Sequence, residues 1–265
     1  MIRSDDRGFT LGDGAFETMR CRDGKVFRLR RHVDRLRRAL DLLRITTPPD
    51  LLERIVEAAR GPGERMLRVT VTRGPAPPGL MPIETGPPTV AILQAPIPPP
   101  PRELTARIVS GRRNDKAAGS GHKLLGYAEG ILGLFEARDA GDDEALFLDT
   151  EGHLAEAAAS NLFVVKGGRI LTPPLGCGIL PGITREIVLE LEPFTEERVL
   201  WPRDLFEAEE VFLTSSIRGI VPLVRVDGHR IGRGAPGPIT LSLAARWRRV
   251  IELELEGVEA PLLHH

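Results

Sequence analysis

The sequence predicts an α+β fold in two domains, and three observations predict it. Strand and helix signals are mixed along the chain without strict alternation. A polar, small and basic stretch, Gly111–Gly121 (GRRNDKAAGSG), breaks the periodic pattern and reads as a linker. The chain has 265 residues, 42% of them hydrophobic, enough for sizeable cores. The expected division is a small domain over 1–110, a linker over 111–122 and a larger domain over 123–265.

The elements follow in order. Ala15 to Cys21 reads as a strand. Arg30 to Leu43 reads as a helix, because Val33, Leu36, Leu40 and Leu43 fall on one stripe. Leu51 to Ala59 is a second helix, begun after Pro48-Pro49 with Asp50 as its cap. Met66–Thr72 and Thr89–Leu93 are strands separated by a Pro/Gly-rich loop, and Thr105–Val109 is another. Beyond the linker, Leu124, Ala128, Ile131 and Phe135 share a helical face, so Lys123 is expected to open a helix that turns inward. Short strands are expected near Ala145–Leu148, Asn161–Val165, Arg169–Leu171, Glu210–Thr214 and Ile220–Val226, with helices over about Ile183–Leu191 and Ile239–Glu254.

Composition narrows the function classes. The 36 basic and 37 acidic residues nearly cancel, so the chain does not advertise a polyanionic partner. Cys21 and Cys177 form no CxxC pattern or disulfide framework, which suits a reducing cytoplasm. The N-terminal residues MIRSDDRGFT do not read as a signal peptide, and no apolar run approaches membrane-spanning length. His264 and His265 are native or part of a tag. GSGHK lacks the GxxxxGK[ST] spacing, no GxSxG occurs, and no metal-ligand pair of histidines is evident, which argues against nucleotide hydrolase, serine hydrolase and simple metal readings.

Four local signals carry chemistry. Lys123 sits where the chain turns into an apolar helix, and a lysine near a desolvated surface becomes a nucleophile or proton shuttle; an arbitrary lysine would simply be solvated. Glu156 lies in LAEAAASNLFVV, otherwise free of charge, followed by the small residues Ala157 to Ser160 that leave room for a flat ligand. The bland alternative is an edge-strand carboxylate facing water. Gly182-Ile183-Thr184-Arg185 opens an apolar helix whose free amides, with the Thr184 hydroxyl, make an anion site, although ordinary capping by Thr184 is the commoner use. Thr214-Ser215-Ser216 ends a strand and offers further hydroxyls. The arginine-dense helix with Arg30, Arg31, Arg35, Arg37 and Arg38 is by default a solvated basic face.

Taken together, DRGFTLGDGAFETMR at Asp6–Arg20, HVDRL, HKLLGYAEG, LAEAAASNLFVV, GILPGITREIV and SSIRGIVPL at Ser215–Leu223 resemble the class IV aminotransferases. These are the fold-type IV enzymes that use pyridoxal 5'-phosphate, among them branched-chain and D-amino acid aminotransferases and aminodeoxychorismate lyase. The resemblance spans nearly the whole chain. It implies a small α/β N-terminal domain, a larger C-terminal pseudo-barrel domain and a homodimer. It also implies roles by position. Lys123 matches the lysine that forms the internal Schiff base, and Glu156 the carboxylate that pairs with the pyridine nitrogen. Arg35 looks like a phosphate-binding arginine, Ile183 and Thr184 match the phosphate turn, Ser216 matches a later phosphate contact, and Tyr127 matches a tyrosine found near the lysine.

Substrate choice is where the resemblance thins. The typical D-amino acid enzymes carry Arg-x-His after the TRG strand end; here TRG is Thr72–Gly74, but the matching loop holds Pro78, Gly79 and Leu80. Arg68 matches an arginine of branched-chain enzymes, with Val69 in place of the proline that follows it there. Arg73 and Arg218 are the other carboxylate candidates, and each of the three has a structural alternative. The implied reaction is transfer of an amino group between a small amino acid and a 2-oxo acid. The alternative is the lyase reaction, which releases 4-aminobenzoate and pyruvate.

Overall fold

The computed structural model describes residues 2–257, so His264 and His265 lie outside the described residues. The chain divides into two compact units. One holds the residues up to Ile97 together with His122–Gly126, and the other holds Pro98–Gly121 and the chain from Tyr127 onward.

The first unit contains α1 (Arg7–Leu11), β1 (Gly14–Arg22), β2 (Lys25–Val26), α2 (Leu29–Leu42), α3 (Leu51–Ala59), β3 (Glu64–Thr72) and β4 (Thr89–Pro96). Its sheet runs β2-β1-β3-β4, with β1, β3 and β4 antiparallel neighbours. Period-two alternation puts Ala15, Met19 and Cys21 of β1 with Leu67, Val69 and Val71 of β3 on one buried face. Val33, Leu36, Ala39 and Leu40 of α2 and Leu51, Ile55 and Ala59 of α3 pack onto it.

The second unit contains β5 (Leu104–Arg112), α4 (Ala128–Asp139), β6 (Glu144–Leu148), β7 (Leu154–Ala157), β8 (Asn161–Lys166), β9 (Arg169–Thr172), α5 (Ile183–Leu191), β10 (Glu196–Glu197), α6 (Pro202–Phe206), β11 (Glu210–Ser215), β12 (Gly219–Val226), β13 (His229–Arg230) and α7 (Pro238–Glu256). The nine-stranded sheet runs β10-β9-β8-β11-β12-β5-β6-β7, with β13 beside β12. A further pairing of β7 with β8 closes β8-β11-β12-β5-β6-β7 into a six-stranded ring. Leu146, Leu154, Leu162, Val164, Val211, Leu213, Val221 and Leu223 fill one core cluster within this unit.

Three expectations need correction. The boundary expected near residues 111–122 is displaced, because β5 pairs in parallel with β6 and β12 and so belongs with the second unit. Lys123 opens no helix: it precedes Leu124, which bridges to Ala15 of β1, and α4 begins only at Ala128. The apolar stripe on α4 also points the other way. Ile131, Leu132 and Phe135 are 50%, 65% and 60% exposed, while Gly130, Gly133 and Ala137 are buried. Small residues let the helix backbone approach the sheet closely: a Cβ at Gly133 would lie 2.4 Å from the Phe147 ring. Among the described residues, no helix is long and apolar enough to cross a membrane.

Candidate active site

The residues singled out by sequence fall into two groups, one in each unit.

In the first unit, the strand-like segment at 123–125 runs beside the start of β1. The Phe16 amide donates to the Lys123 carbonyl (3.1 Å), and the Leu125 amide donates to the Gly14 carbonyl (2.9 Å). This anchors Lys123 at the backbone and leaves its side chain half-buried, with Nζ 4.4 Å from the centre of the Phe16 ring. The Arg68 guanidinium lies 3.7 Å from the centre of the same ring. The two cations therefore share one aromatic platform.

Arg35 sits on the buried face of α2, one turn after His32. Its Nε and Nη2 donate to the two oxygens of Glu17 (2.7 and 2.8 Å) in a bidentate pair, and His32 Nδ1 lies 2.7 Å from Glu17 Oε2. Burial opposes ionisation of Glu17, yet the charges and hydrogen bonds of Arg35 and His32 outweigh it and hold the carboxyl down at about 2. Burial also depresses His32. Glu17 pulls the other way, while Arg35 and Lys123 add to the depression. His32 is thus harder to protonate than a free imidazole, and its Nε2 is buried without a hydrogen-bond partner in the protein. Glu17 and His32 escaped the sequence reading. The signal was a lone glutamate in an apolar strand, the same signal that singled out Glu156.

Arg73 is held by its neighbours. It donates to both oxygens of Asp13 (2.7 and 3.1 Å) and to the carbonyls of Leu43 and Arg44.

In the second unit, Glu156 sits at the strand pair that closes the ring. It is the cross-strand partner of Asn161, which in turn pairs with Thr214 of β11. Directly paired residues share a face of a sheet, so these three polar side chains form a row. Glu156 Oε2 accepts from the Leu180 amide (3.0 Å) and from Asn161 Nδ2 (3.2 Å), and Arg113 Nε lies 3.4 Å from Oε1. Arg113 is itself seated by the Ala157 and Ala158 carbonyls and lies 4.5 Å over the Phe147 ring. Asn161 also donates to the Leu180 carbonyl (2.8 Å), which ties the row to the segment leading into α5. Asn161 and Arg113 were missed by sequence reasoning, because partners across a sheet leave no local spacing.

Ile183 and Thr184 are the first two residues of α5 and are buried; the cap position is Gly182, with no side-chain cap bond. A Cβ at Gly182 would lie 2.0 Å from Asn161 Oδ1, so only glycine lets the helix start come this close to the row. The cap reading for Thr184 therefore gives way, because the cap position is Gly182 and no side-chain cap bond closes the start of α5. Thr214 Oγ1 is buried and lacks a hydrogen-bond partner within the protein. Ser216 lies half-buried just past β11, and half-buried Tyr127 immediately precedes α4. Arg218 pairs with the buried Glu144 (2.7 Å) and lies 3.5 Å from Ser160 Oγ. A carboxylate met by an arginine and two N–H donors, an orphaned hydroxyl and an uncapped helix start suit a flat, protonated ring with a phosphate tail.

Comparisons with known proteins point the same way. Residues 14–226 match the family model described as amino-transferase class IV. The chain is 36% identical over 257 residues to a Methanocaldococcus jannaschii protein named as a branched-chain-amino-acid aminotransferase, covering 92% of this chain and 89% of that one. It is 31% identical over 254 residues to the D-alanine aminotransferase of Bacillus licheniformis, covering 89% and 87%. The solved structure of the branched-chain aminotransferase from the thermophilic archaeon Thermoproteus uzoniensis with norvaline superposes with a TM-score of 0.88 at 29% identity, covering 99% of this chain and 94% of that one.

Proposed function

We propose that this chain, which belongs to the class IV aminotransferase family, binds pyridoxal 5'-phosphate and moves an amino group between a small amino acid and a 2-oxo acid. The observation that carries the cofactor assignment is the row Glu156–Asn161–Thr214 beside the uncapped start of α5. When bound, the cofactor supplies a reactive aldehyde and an electron-withdrawing ring.

The protein's residues do the rest. Lys123 would hold the cofactor through its aldehyde carbon and, once a substrate amine has displaced it there, its free amine would carry the proton to and from the substrate α-carbon. Glu156, faced by Arg113 and by donors from Asn161 and Leu180, would hold a proton on the ring nitrogen. Arg35, oriented by Glu17, is one candidate to bind the phosphate; in the other unit Ile183, Thr184 and Ser216 are the candidates for the same group, and Tyr127 the candidate to line the ring. Of the three arginines considered for the substrate carboxylate, Arg68 is favoured, because it shares the Phe16 ring with Lys123. Arg73 and Arg218 are committed to Asp13 and Glu144.

Self-association as a homodimer is supported by the exposed Ile131, Leu132 and Phe135 on α4. A cytoplasmic setting is supported by two buried, unbridged cysteines.

An absorbance scan tests the cofactor: a protein that stays colourless with added pyridoxal phosphate sinks the proposal. Lys123→Ala is expected to abolish borohydride trapping of cofactor on the protein and to remove turnover, and a variant that still traps cofactor refutes the role of Lys123. Product analysis tests the reaction. Amino transfer to 2-oxoglutarate or pyruvate is expected, and release of 4-aminobenzoate from aminodeoxychorismate without transfer would replace it with the lyase reaction. A panel of both enantiomers of small amino acids assigns the substrate.

A further inference from the structure

One cluster in the second unit is untouched by the proposed chemistry. The hairpin from β6 to β7 carries Asp149 and His153, and a short 3-10 turn, Leu175–Cys177, carries Cys177. A carboxylate oxygen, an imidazole nitrogen and the thiol sulfur of these residues all lie within 4.8 Å of one another. Asp149 and Cys177 are buried, and His153 is half-buried with its ring edge-on to Trp201 (4.4 Å between centroids).

The carboxylate is already aimed. Asp149 Oδ1 accepts the Glu151 and His153 amides (2.9 Å each), which leaves Oδ2 turned to His153 Nδ1 at 3.0 Å. Holding one oxygen with backbone donors while the other faces neighbouring donors is how ligating carboxylates are oriented in metal sites. The surrounding charge is also one-sided. Burial, then the charge of Asp149 and its hydrogen bond with the thiol, and beyond it Asp115 and Glu151, push the Cys177 thiol up to about 12, so a metal must displace that proton; Lys116 is engaged with Asp115 and Glu151.

We propose that Asp149, His153 and Cys177 bind one divalent transition-metal ion of the zinc class. The donor set decides the class. One oxygen, one nitrogen and one sulfur make a three-ligand set that leaves a fourth tetrahedral position for water. A thiolate ligand selects against magnesium and calcium. Binding forms a metal–sulfur bond and releases the thiol proton to solvent. The ion would join the hairpin whose second strand carries Glu156 to the turn three residues before Leu180, and the Leu180 amide donates to Glu156. Its role is to pin Glu156 and the approach to α5. The site is independent of the cofactor assignment, so either can fail alone.

Cobalt(II) is the probe, added to chelator-treated holoenzyme, with zinc(II)-treated holoenzyme as the blank. One equivalent is expected to bind with intense tetrahedral visible bands and a near-ultraviolet sulfur-to-cobalt band, all displaced by zinc. Cys177→Ser, a close isostere, should remove the sulfur band and weaken binding by more than about 100-fold, while Cys21→Ser leaves both unchanged. His153→Gln should weaken binding by a similar factor while retaining the sulfur band at saturating cobalt. Zinc should raise the melting temperature of the wild type but not of Cys177→Ser. Failure to bind one equivalent overturns the proposal, as does a spectrum without a sulfur band, or a folded Cys177→Ser that binds cobalt as tightly as the wild type. Those outcomes would leave Asp149, His153 and Cys177 as a hydrogen-bonded cluster only.

Discussion

Glu17 in β1 and Glu156 in β7 are both single carboxylates in apolar strands, and both have an arginine partner. Glu17 is fully buried and saturated: a bidentate arginine and a histidine take both oxygens at 2.7–2.8 Å. Glu156 keeps 12% of its side-chain surface, and its arginine contact is longer, 3.4 Å, with the other oxygen held by an amide and an asparagine. Glu17 orders a neighbouring cation, which is a structural task. Glu156 is met more loosely, as suits the proposed contact with a proton-bearing ligand. Similar local sequence thus serves two ends, and the closeness of the partners and the depth of burial separate them.

The comparison can be broken or sharpened by experiment. The largest stability effect is expected for Glu17→Gln. It leaves Arg35 buried without its counter-charge, costing about 3–5 kcal/mol. At about 2–4 °C per kcal/mol for a chain of this size, the melting temperature should fall by roughly 6–20 °C. A shift within about 2 °C would mean that Glu17 is not the structural partner.

Acid should expose the same cluster. The unfolded chain takes up protons that the folded chain refuses, first at His32 as pH falls below about 6.5 and then at Glu17 between 4.5 and about 2. Stability therefore declines with falling pH, and the Glu17 share is on the order of 3 kcal/mol. Denaturant melts against pH should show a flatter acid limb in Glu17→Gln; an unchanged limb would assign the acid sensitivity elsewhere.

Glu156→Gln is expected to be mildest in stability, about 1–2 kcal/mol, because its partners keep solvent or backbone alternatives. Its turnover should nevertheless drop on the order of 10²-fold with cofactor still bound. Full activity would remove Glu156 from the ring-nitrogen role.

Much of the fold was legible because periodicity reports burial. The Val33–Leu36–Leu40 stripe marks the buried face of α2, and alternation marks β1 and β3. It misled at α4, where the glycine and alanine stripe packs and the aliphatic stripe is exposed. Periodicity identifies a stripe but not which stripe meets the sheet. The same limit explains Lys123, placed in a helix by the apolar residues after it, although Leu124 spends its backbone on a bridge to Ala15.

By itself the sequence determined the two kinds of element, most of their positions and the residue types on which the proposed cofactor site rests. Those depend on local spacing, which a chain carries in one dimension. The tertiary structure decided which charges meet which partners. Arg73 and Arg218 are claimed by Asp13, 60 residues away, and by Glu144, 74 residues away, and Glu156 is met by Arg113 from beyond its own strand. Electrostatic partnership is set by distance in space, and no spacing along the chain encodes it.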